Sequence, residues 1–276
     1  SVSGALFMAS LLAIGIPAYT VFSGFAETAV WSLIPALFFG FVLSKTGLGK
    51  RIAYLGMKNT KLSYVGILFM WSLIGIVLSL LTPSINVRVA IVIPIALNCV
   101  NICNIPEGSK ERSLILITAW AMVLIPGNGW LTGSLNGPIL SGFFKSVPGL
   151  EAISFSDWAK VSLLPMLIIS VLTVLGGYFV LKPTASLNLS KDVFIEEYRK
   201  LGPMSKQEKI TAAILIGTFL MFVTSSLHGI SDAAVCLTAW FLLTASGIIK
   251  VNEISSGINW DLIVFVGTAM GFGSVF

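Results

Sequence analysis

The sequence predicts an all-α polytopic membrane protein, and three observations predict it. Of 276 residues, 56% are hydrophobic and only 11% charged. Soluble domains carry about 25% charged residues, so this chain could not cover a water-facing surface. Its mean hydropathy is +0.95, and apolar runs close to the ~20 residues that cross a bilayer core recur along it. Two of these runs are interrupted by polar, helix-breaking sequence, at 82–88 and at 127–137. The interruptions predict a re-entrant helical hairpin and a discontinuous helix within the bundle.

The net charge of +5 and pI near 9.2 do not imply a nucleic-acid partner. In a membrane protein the same excess is expected from Lys and Arg in cytoplasmic loops. Cys99, Cys103 and Cys236 form no CxxC pair and no zinc set, and they read as small packing residues. No cleavable signal peptide is visible and the chain opens at Ser1, so it reads as a partial chain.

Apolar segments fall at 4–23, 29–44, 62–81, 87–100, 113–126, 138–147, 159–181, 210–227, 231–248 and 260–276. The segment 45–61 holds Lys45, Lys50, Arg51, Lys58 and Lys61 with no acid, and 182–209 is also rich in Lys and Arg. The positive-inside rule places both in the cytoplasm, and the turns near Glu27, 151–157 and 228–232 outside. Parity then requires the chain to enter and leave on the cytoplasmic side between Lys61 and Arg112. The arm 87–100 offers only ~21 Å of helix against a hydrocarbon core of ~30 Å. It therefore reads as the returning arm of a hairpin tipped by 82–88.

At that tip, Pro83 removes a backbone donor and disfavours helix at Thr82. Thr82, Ser84 and Asn86 then offer hydroxyl and amide groups, and the next helix points its positive end at the tip, which suits an anion. Arg88 is the only formal charge between Leu62 and Val100. Burying it mid-bilayer costs roughly 2.5–3.5 kcal/mol on the insertion scale. Two roles are open to it, offsetting a substrate's charge or bonding carbonyls at the tip.

The second interruption, PGNGWLTGSLNGP, reads as an unwound helix middle that exposes carbonyls and side-chain oxygens. Broken transporter helices hold Na⁺ with such oxygens. A weak internal echo supports a repeat. SGFAETAVWSLIPALFFG around Trp31 and SSGINWDLIVFVGTAMG around Trp260 share W-x-L-I, and the topology would invert one copy relative to the other. His228 reads as an interfacial residue, and Trp71, Trp120, Trp130, Trp158 and Trp240 as belt and packing residues. No nucleophile–base pair, nucleotide loop or metalloprotease motif stands out, so the chain is not read as an enzyme.

Four stretches together resemble the divalent anion:sodium symporter family, closest to its oxoglutarate/malate translocator-like branch. They are AVWSLIPALFFGFVLSKTGLGKRIA, LTPSINVRVAIVIPIA, GNGWLTGSLNG, and EEYRKLGPMSKQEK leading to LHGISDA. The resemblance implies an elevator-type secondary carrier of divalent organic anions, or of sulfate, with Na⁺ as coupling ion. It implies a homodimer when full-length and a bacterial-type inner membrane. Matched ungapped, Thr82, Pro83, Ser84 and Arg88 agree with the family tip, while Ile85 and Asn86 stand where it has Asn and Thr.

On this basis Thr82, Ser84, Asn86, Arg88, Thr132 and Ser134 are expected to face substrate, and Ser84, Asn86, Gly127, Gly129 and Gly133 to hold Na⁺. The expected organisation is a first repeat plus the start of a second. Scaffold helices occupy 1–44, an amphipathic interfacial helix 45–61, and the transport-domain hairpin and broken helix 62–147. A transmembrane helix follows over 148–182, then a cytoplasmic linker over 183–209 and the second repeat's first helices over 210–276. Such a chain holds one half-site and is not expected to transport unaided; a truncated, non-transporting fragment is the rival expectation.

Overall fold

In a computed structural model of the chain, residues 2–60, 63–146, 149–150, 153–184 and 191–275 are described, and among them there is no strand. Among the described residues, four helices are long and apolar enough to cross a membrane: Thr28–Lys45, Tyr64–Leu81, Lys110–Gly129 and Phe155–Leu181.

The first apolar segment is two helices rather than one. Helix α1 (Val2–Ala13) and the short α2 (Ala18–Val21) are separated by Gly15, at φ +90°, and Pro17. A 3-10 turn at Ser23–Ala26 leads into α3 (Thr28–Lys45), most of whose side chains are buried. The basic segment then forms α4 (Leu48–Lys58). Arg51, Ala53, Tyr54 and Met57 are buried, whereas Lys50 and Leu55 are exposed. This amphipathic helix thus lays its apolar face on protein.

Helices α5 (Tyr64–Leu81) and α6 (Ile85–Ile102) form the hairpin. The returning arm is longer than the sequence suggested, at 18 residues in each helix, or ~27 Å. Ser84 explains the early start, because its hydroxyl accepts from Val87 N–H at 3.4 Å and caps α6 directly after Pro83. The two arms touch each other little, and α7 (Lys110–Leu124) packs against both. At Gly75 the α5 backbone approaches α7 so closely that a Cβ would strike the Met122 carbonyl.

Beyond α7 the chain makes a 3-10 turn at Pro126–Gly129, stays non-helical to Leu135, and resumes as α8 (Asn136–Ser146). Helix α9 (Phe155–Leu181) follows, and its apolar residues are largely exposed, with Val161, Leu172, Phe179 and Val180 more than half uncovered. An apolar helix of this length, bare on its outer face, suits lipid and not water.

The linker contains α10 (Lys191–Lys200), and residues 185–190 lie outside the described set. A capping box at Ser205 and Glu208 starts α11 (Lys206–Val223). After it come the short α12 (Ser225–His228), α13 (Asp232–Ala245), a further 3-10 turn at Val251–Glu253, and α14 (Trp260–Val275).

The core forms where α3, α5, α6, α7 and α13 meet, with Phe38 stacked on Trp240 at 5.4 Å and Trp71 buried. Helix α14 crosses the Ser23–Ala26 turn in backbone contact, since a Cβ on Gly24 would meet Gly267 O and Gly271 N. Two entries into long helices share one detail. Trp31 Nε1 donates to Phe25 O at 2.9 Å, and Trp260 Nε1 donates to Ile254 O at 3.0 Å, each six residues back and just after a 3-10 turn.

Cys99, Cys103 and Cys236 are free and buried, and no group of three metal-ligating side chains occurs among the described residues. His228 is partly buried, with Nε2 2.9 Å from Met221 O and Nδ1 accepting from Ile230 N–H at 3.0 Å.

Candidate functional site: the hairpin tip and the unwound helix

Thr82–Ser84 turns sharply because Pro83 ends α5, and Thr82 Oγ1 accepts from Ser84 N–H at 3.1 Å. The tip docks on α3 at Gly40, where a Cβ would stand 2.6 Å from Thr82 Oγ1 and 3.1 Å from Ser84 Cβ. Only a residue without a side chain permits that approach.

The unwound segment meets the hairpin from the other side. A Cβ on Gly127 would lie 2.7 and 2.8 Å from Arg88 Nη1 and Nη2, and it would also strike the Gly133 carbonyl. A Cβ on Gly133 would lie 3.0 Å from the Ser79 carbonyl of α5. Glycine at 127 and 133 is what lets two stretches of backbone and a guanidinium share this space. Asn128 holds the break open, and its Oδ1 accepts from Asn136 Nδ2 at 3.2 Å across it. The Asn128 carbonyl also accepts from Trp158 Nε1 on α9 at 3.0 Å.

The expected site residues divide into three groups. Ser84, Asn86 and Ser134 line a cavity of about 670 Å³, joined by Asn136, Ser256 and Asn259. Thr82 and Thr132 are buried together beside Pro83, at a gap of about 10 Å³ that is at the lower limit for one water. Arg88 is fully buried, lines neither space, and faces Gly127. Gly129 stands apart from Gly127 and Gly133, packed on Leu163 and Met166 of α9.

Three helix N-termini converge on the larger cavity. Helix α6 arrives through Ser84, α8 through Asn136, and α14 through Asn259, whose Oδ1 accepts from Asp261 N–H at 3.0 Å. Each carries roughly half a positive charge from its aligned peptide dipoles. Among the described residues no charged side chain lines the space. The hydroxyl of Ser134, a residue 1% exposed, has no hydrogen-bond partner among the described residues.

Sequence reasoning missed Ser256, Asn259 and the Asn128–Asn136 bridge. The W-x-L-I echo was the available signal for the first two, because it marked the lead-in to Trp260 as structured.

A second cavity of about 500 Å³ takes Leu131 and Thr132 from the same segment, with Thr28, Ser32, Ser154, Asp157, Lys160 and Asp232 around it.

A long apolar helix bare to its surroundings, beside helices broken at buried polar turns, defines an integral membrane protein of the helical class. The chain belongs to the family described as Sodium:sulfate symporter transmembrane region, which it matches over residues 3–275. It is 25% identical over 265 residues to Dicarboxylate transporter 1, chloroplastic, of Arabidopsis thaliana, covering 93% of this chain and 47% of that protein. It is 29% identical over 252 residues to the L-tartrate/succinate antiporter of Escherichia coli (strain K12), covering 88% and 49%. With Inner membrane protein YbhI of the same strain, identity is 24% over 261 residues, covering 92% and 54%. The chain spans about half the length of these curated relatives.

Proposed function

We propose that the full-length protein is a secondary active carrier of divalent organic anions of the C4-dicarboxylate or 2-oxoglutarate type, and that this chain supplies one half of its binding site. The observation that carries the proposal is the uncharged 670 Å³ cavity at which three helix N-termini meet. A carboxylate is held there by amide and hydroxyl donors and by helix dipoles, without a salt bridge that would have to break at release. Ser84, Asn86 and Ser134 contact the anion, and Thr82 and Thr132 brace the tip behind them. Sulfate is the nearest alternative substrate. The names of two relatives, a dicarboxylate transporter and a tartrate/succinate antiporter, favour the organic acids.

In this reading Na⁺ is the coupling ion, bound between the tip and the unwound segment by Ser84, Asn86 and backbone oxygens near Gly127 and Gly133. The hairpin, α7 and α8 move as an elevator against α3, α11 and α13. The repeats are inverted, with Trp31 and Trp260 as corresponding residues. The full-length protein forms a homodimer in the bilayer of a bacterial-type inner membrane.

A second reading, exchange without sodium, is favoured by Arg88. Its guanidinium already brings a buried positive charge against Gly127, and a cation beside it would be repelled with little solvent screening. Ile85, in place of an amide, also removes one oxygen from the tip. Proteoliposomes containing the full-length protein separate the two readings. Symport gives labelled succinate uptake driven by an inward Na⁺ gradient alone, whereas exchange requires unlabelled dicarboxylate inside and ignores Na⁺. No uptake in either arrangement would sink the carrier reading.

A further inference from the structure

Helix α4 touches its neighbours in two different ways. Toward the linker and α11 it offers Arg51, only 5% exposed. Arg51 Nε donates to Glu208 Oε1 at 2.6 Å and Nη2 to Glu208 Oε2 at 3.2 Å. The same guanidinium donates to the carbonyls of Gly202 at 2.9 Å, Leu201 at 3.2 Å and Pro203 at 3.4 Å. Those carbonyls lie just past the end of α10, where backbone acceptors are left over. Glu208 also accepts from Ser205 N–H at 2.7 Å, closing the capping box of α11. One side chain therefore ties the end of α10, the turn and the start of α11 to α4. Lys58 adds a cation–π contact, 3.8 Å from the centre of the Tyr198 ring on α10.

Toward the hairpin, α4 presents Gly49 and Gly56, two turns apart. A Cβ at Gly49 would lie 2.5 Å from Ile91 Cδ1 on α6, and one at Gly56 would lie 2.9 Å from Ile74 Cγ1 on α5. Ala53, between them, and Met57, just beyond, are buried in the core. The Tyr54 phenol faces Asn98 of α6, but it faces Glu197 of α10 as well and so has a partner on either side.

The two faces differ in what displacement costs. Apolar contact is non-directional, so a helix can shift along a glycine-lined strip and exchange one set of dispersion contacts for another. A forked guanidinium is directional, and parting it would leave two buried charges and three carbonyls unpaired. We propose that Arg51 is a positioning residue that holds α4 fixed to the start of α11 throughout transport while the hairpin slides across the opposite face of α4. This rests on the carrier reading above.

The test uses the full-length protein in proteoliposomes, with Cys99, Cys103 and Cys236 replaced by serine. Arg51→Cys with Glu208→Cys, joined by a short bismaleimide, should leave labelled succinate uptake close to that of the unlinked pair. Gly49→Cys with Ile91→Cys, where the smaller side chain at 91 makes room at 49, should lose uptake on oxidation and regain it on reduction. Loss of uptake on linking 51 to 208, or full uptake with 49 and 91 joined, would overturn the proposal. Arg51→Gln should lower the maximal rate without moving the half-saturating succinate concentration, and Arg51→Lys should not restore the rate, because an ammonium cannot reproduce the fork.

Hydrogen exchange separates this failure from failure of the carrier reading, since it needs no transport. Arg51→Gln should speed exchange over 201–210 and leave the hairpin at 64–102 unchanged. Equal acceleration in both regions, or none at 201–210, overturns the pin even if the parent protein moves no dicarboxylate.

Discussion

Arg51 and Arg88 are both buried, at 5% and 0% exposure, yet they are solved in opposite ways. Every guanidinium nitrogen of Arg51 donates to a carboxylate or carbonyl. At Arg88, Nε, Nη1 and Nη2 all lack a hydrogen-bond partner among the described residues. A buried charge that is fully paired holds structure together, whereas one left unpaired carries a standing cost. Such a cost is characteristic of groups kept for an interaction that the resting fold does not complete. The first arginine joins elements, and the second sits between the hairpin and the unwound segment, one turn past the tip.

Truncation should separate the two most sharply. Arg51→Ala strands Glu208, whose side chain is 7% exposed, together with three carbonyls. The expected loss is about 3–5 kcal/mol, read from unfolding of the full-length protein in detergent. A loss below about 1 kcal/mol would place the pair with ordinary surface bridges.

Arg88→Met keeps the bulk and strands nothing. Stability should hold or rise by up to about 2.5–3.5 kcal/mol, while thermal stabilisation by added succinate persists, because Arg88 does not line the cavity that holds the anion. If Arg88→Met destabilised as strongly as Arg51→Ala, Arg88 would be a structural residue and the contrast would collapse.

Gly127→Ala probes the same junction from the backbone side. The added Cβ meets Arg88 Nη1 at 2.7 Å and the Gly133 carbonyl, for an expected cost of about 1–3 kcal/mol. Adding Arg88→Ala should recover the guanidinium's share and leave the carbonyl clash. The two substitutions should therefore not add in a double-mutant cycle.

The tip and the break were legible in the sequence because proline, glycine and asparagine punctuate apolar runs there, and those residues act on backbone within a turn of themselves. Helix α4 was legible because basic and apolar residues are mixed within its own short span. What was not legible depends on distant packing. Arg51 reads as one of five basic residues in an acid-free stretch, and its partner Glu208 lies 157 positions away. Ser256 and Asn259 reach the cavity only because α14 is packed beside the tip. The early end of α1 was visible in Gly15 and Pro17, but mean hydropathy across the segment concealed it.

Acid should loosen the Arg51 junction before it touches Arg88. The Arg51 hydrogen bond holds the Glu208 carboxyl below the usual carboxylate range, opposed by burial and helped by the Ser205 backbone. A folded value below the unfolded one, about 4.3 for Glu, means that this stabilisation is full above that pH. It is then lost as pH falls through the folded value. The stability of the parent should drop more steeply below pH ~4.3 than that of Glu208→Gln, and identical profiles would remove Glu208 from the account.

The smallest expected effect tests whether the two halves of the chain share a design at all. Trp31 and Trp260 each donate an indole N–H to the carbonyl six residues back, at 2.9 and 3.0 Å, and are 46% and 36% exposed. Replacing either by Phe keeps an aromatic ring and removes the pyrrole half of the indole with its one hydrogen bond, which is worth about 0.5–1.5 kcal/mol. Corresponding positions of a repeat should lose the same amount, and the two losses should add, because the residues anchor separate helices. A clear loss at one and none at the other would mean that the shared W-x-L-I is coincidence. The inverted-repeat proposal would then lose its local support, although the cavity where α6, α8 and α14 meet would stand unchanged.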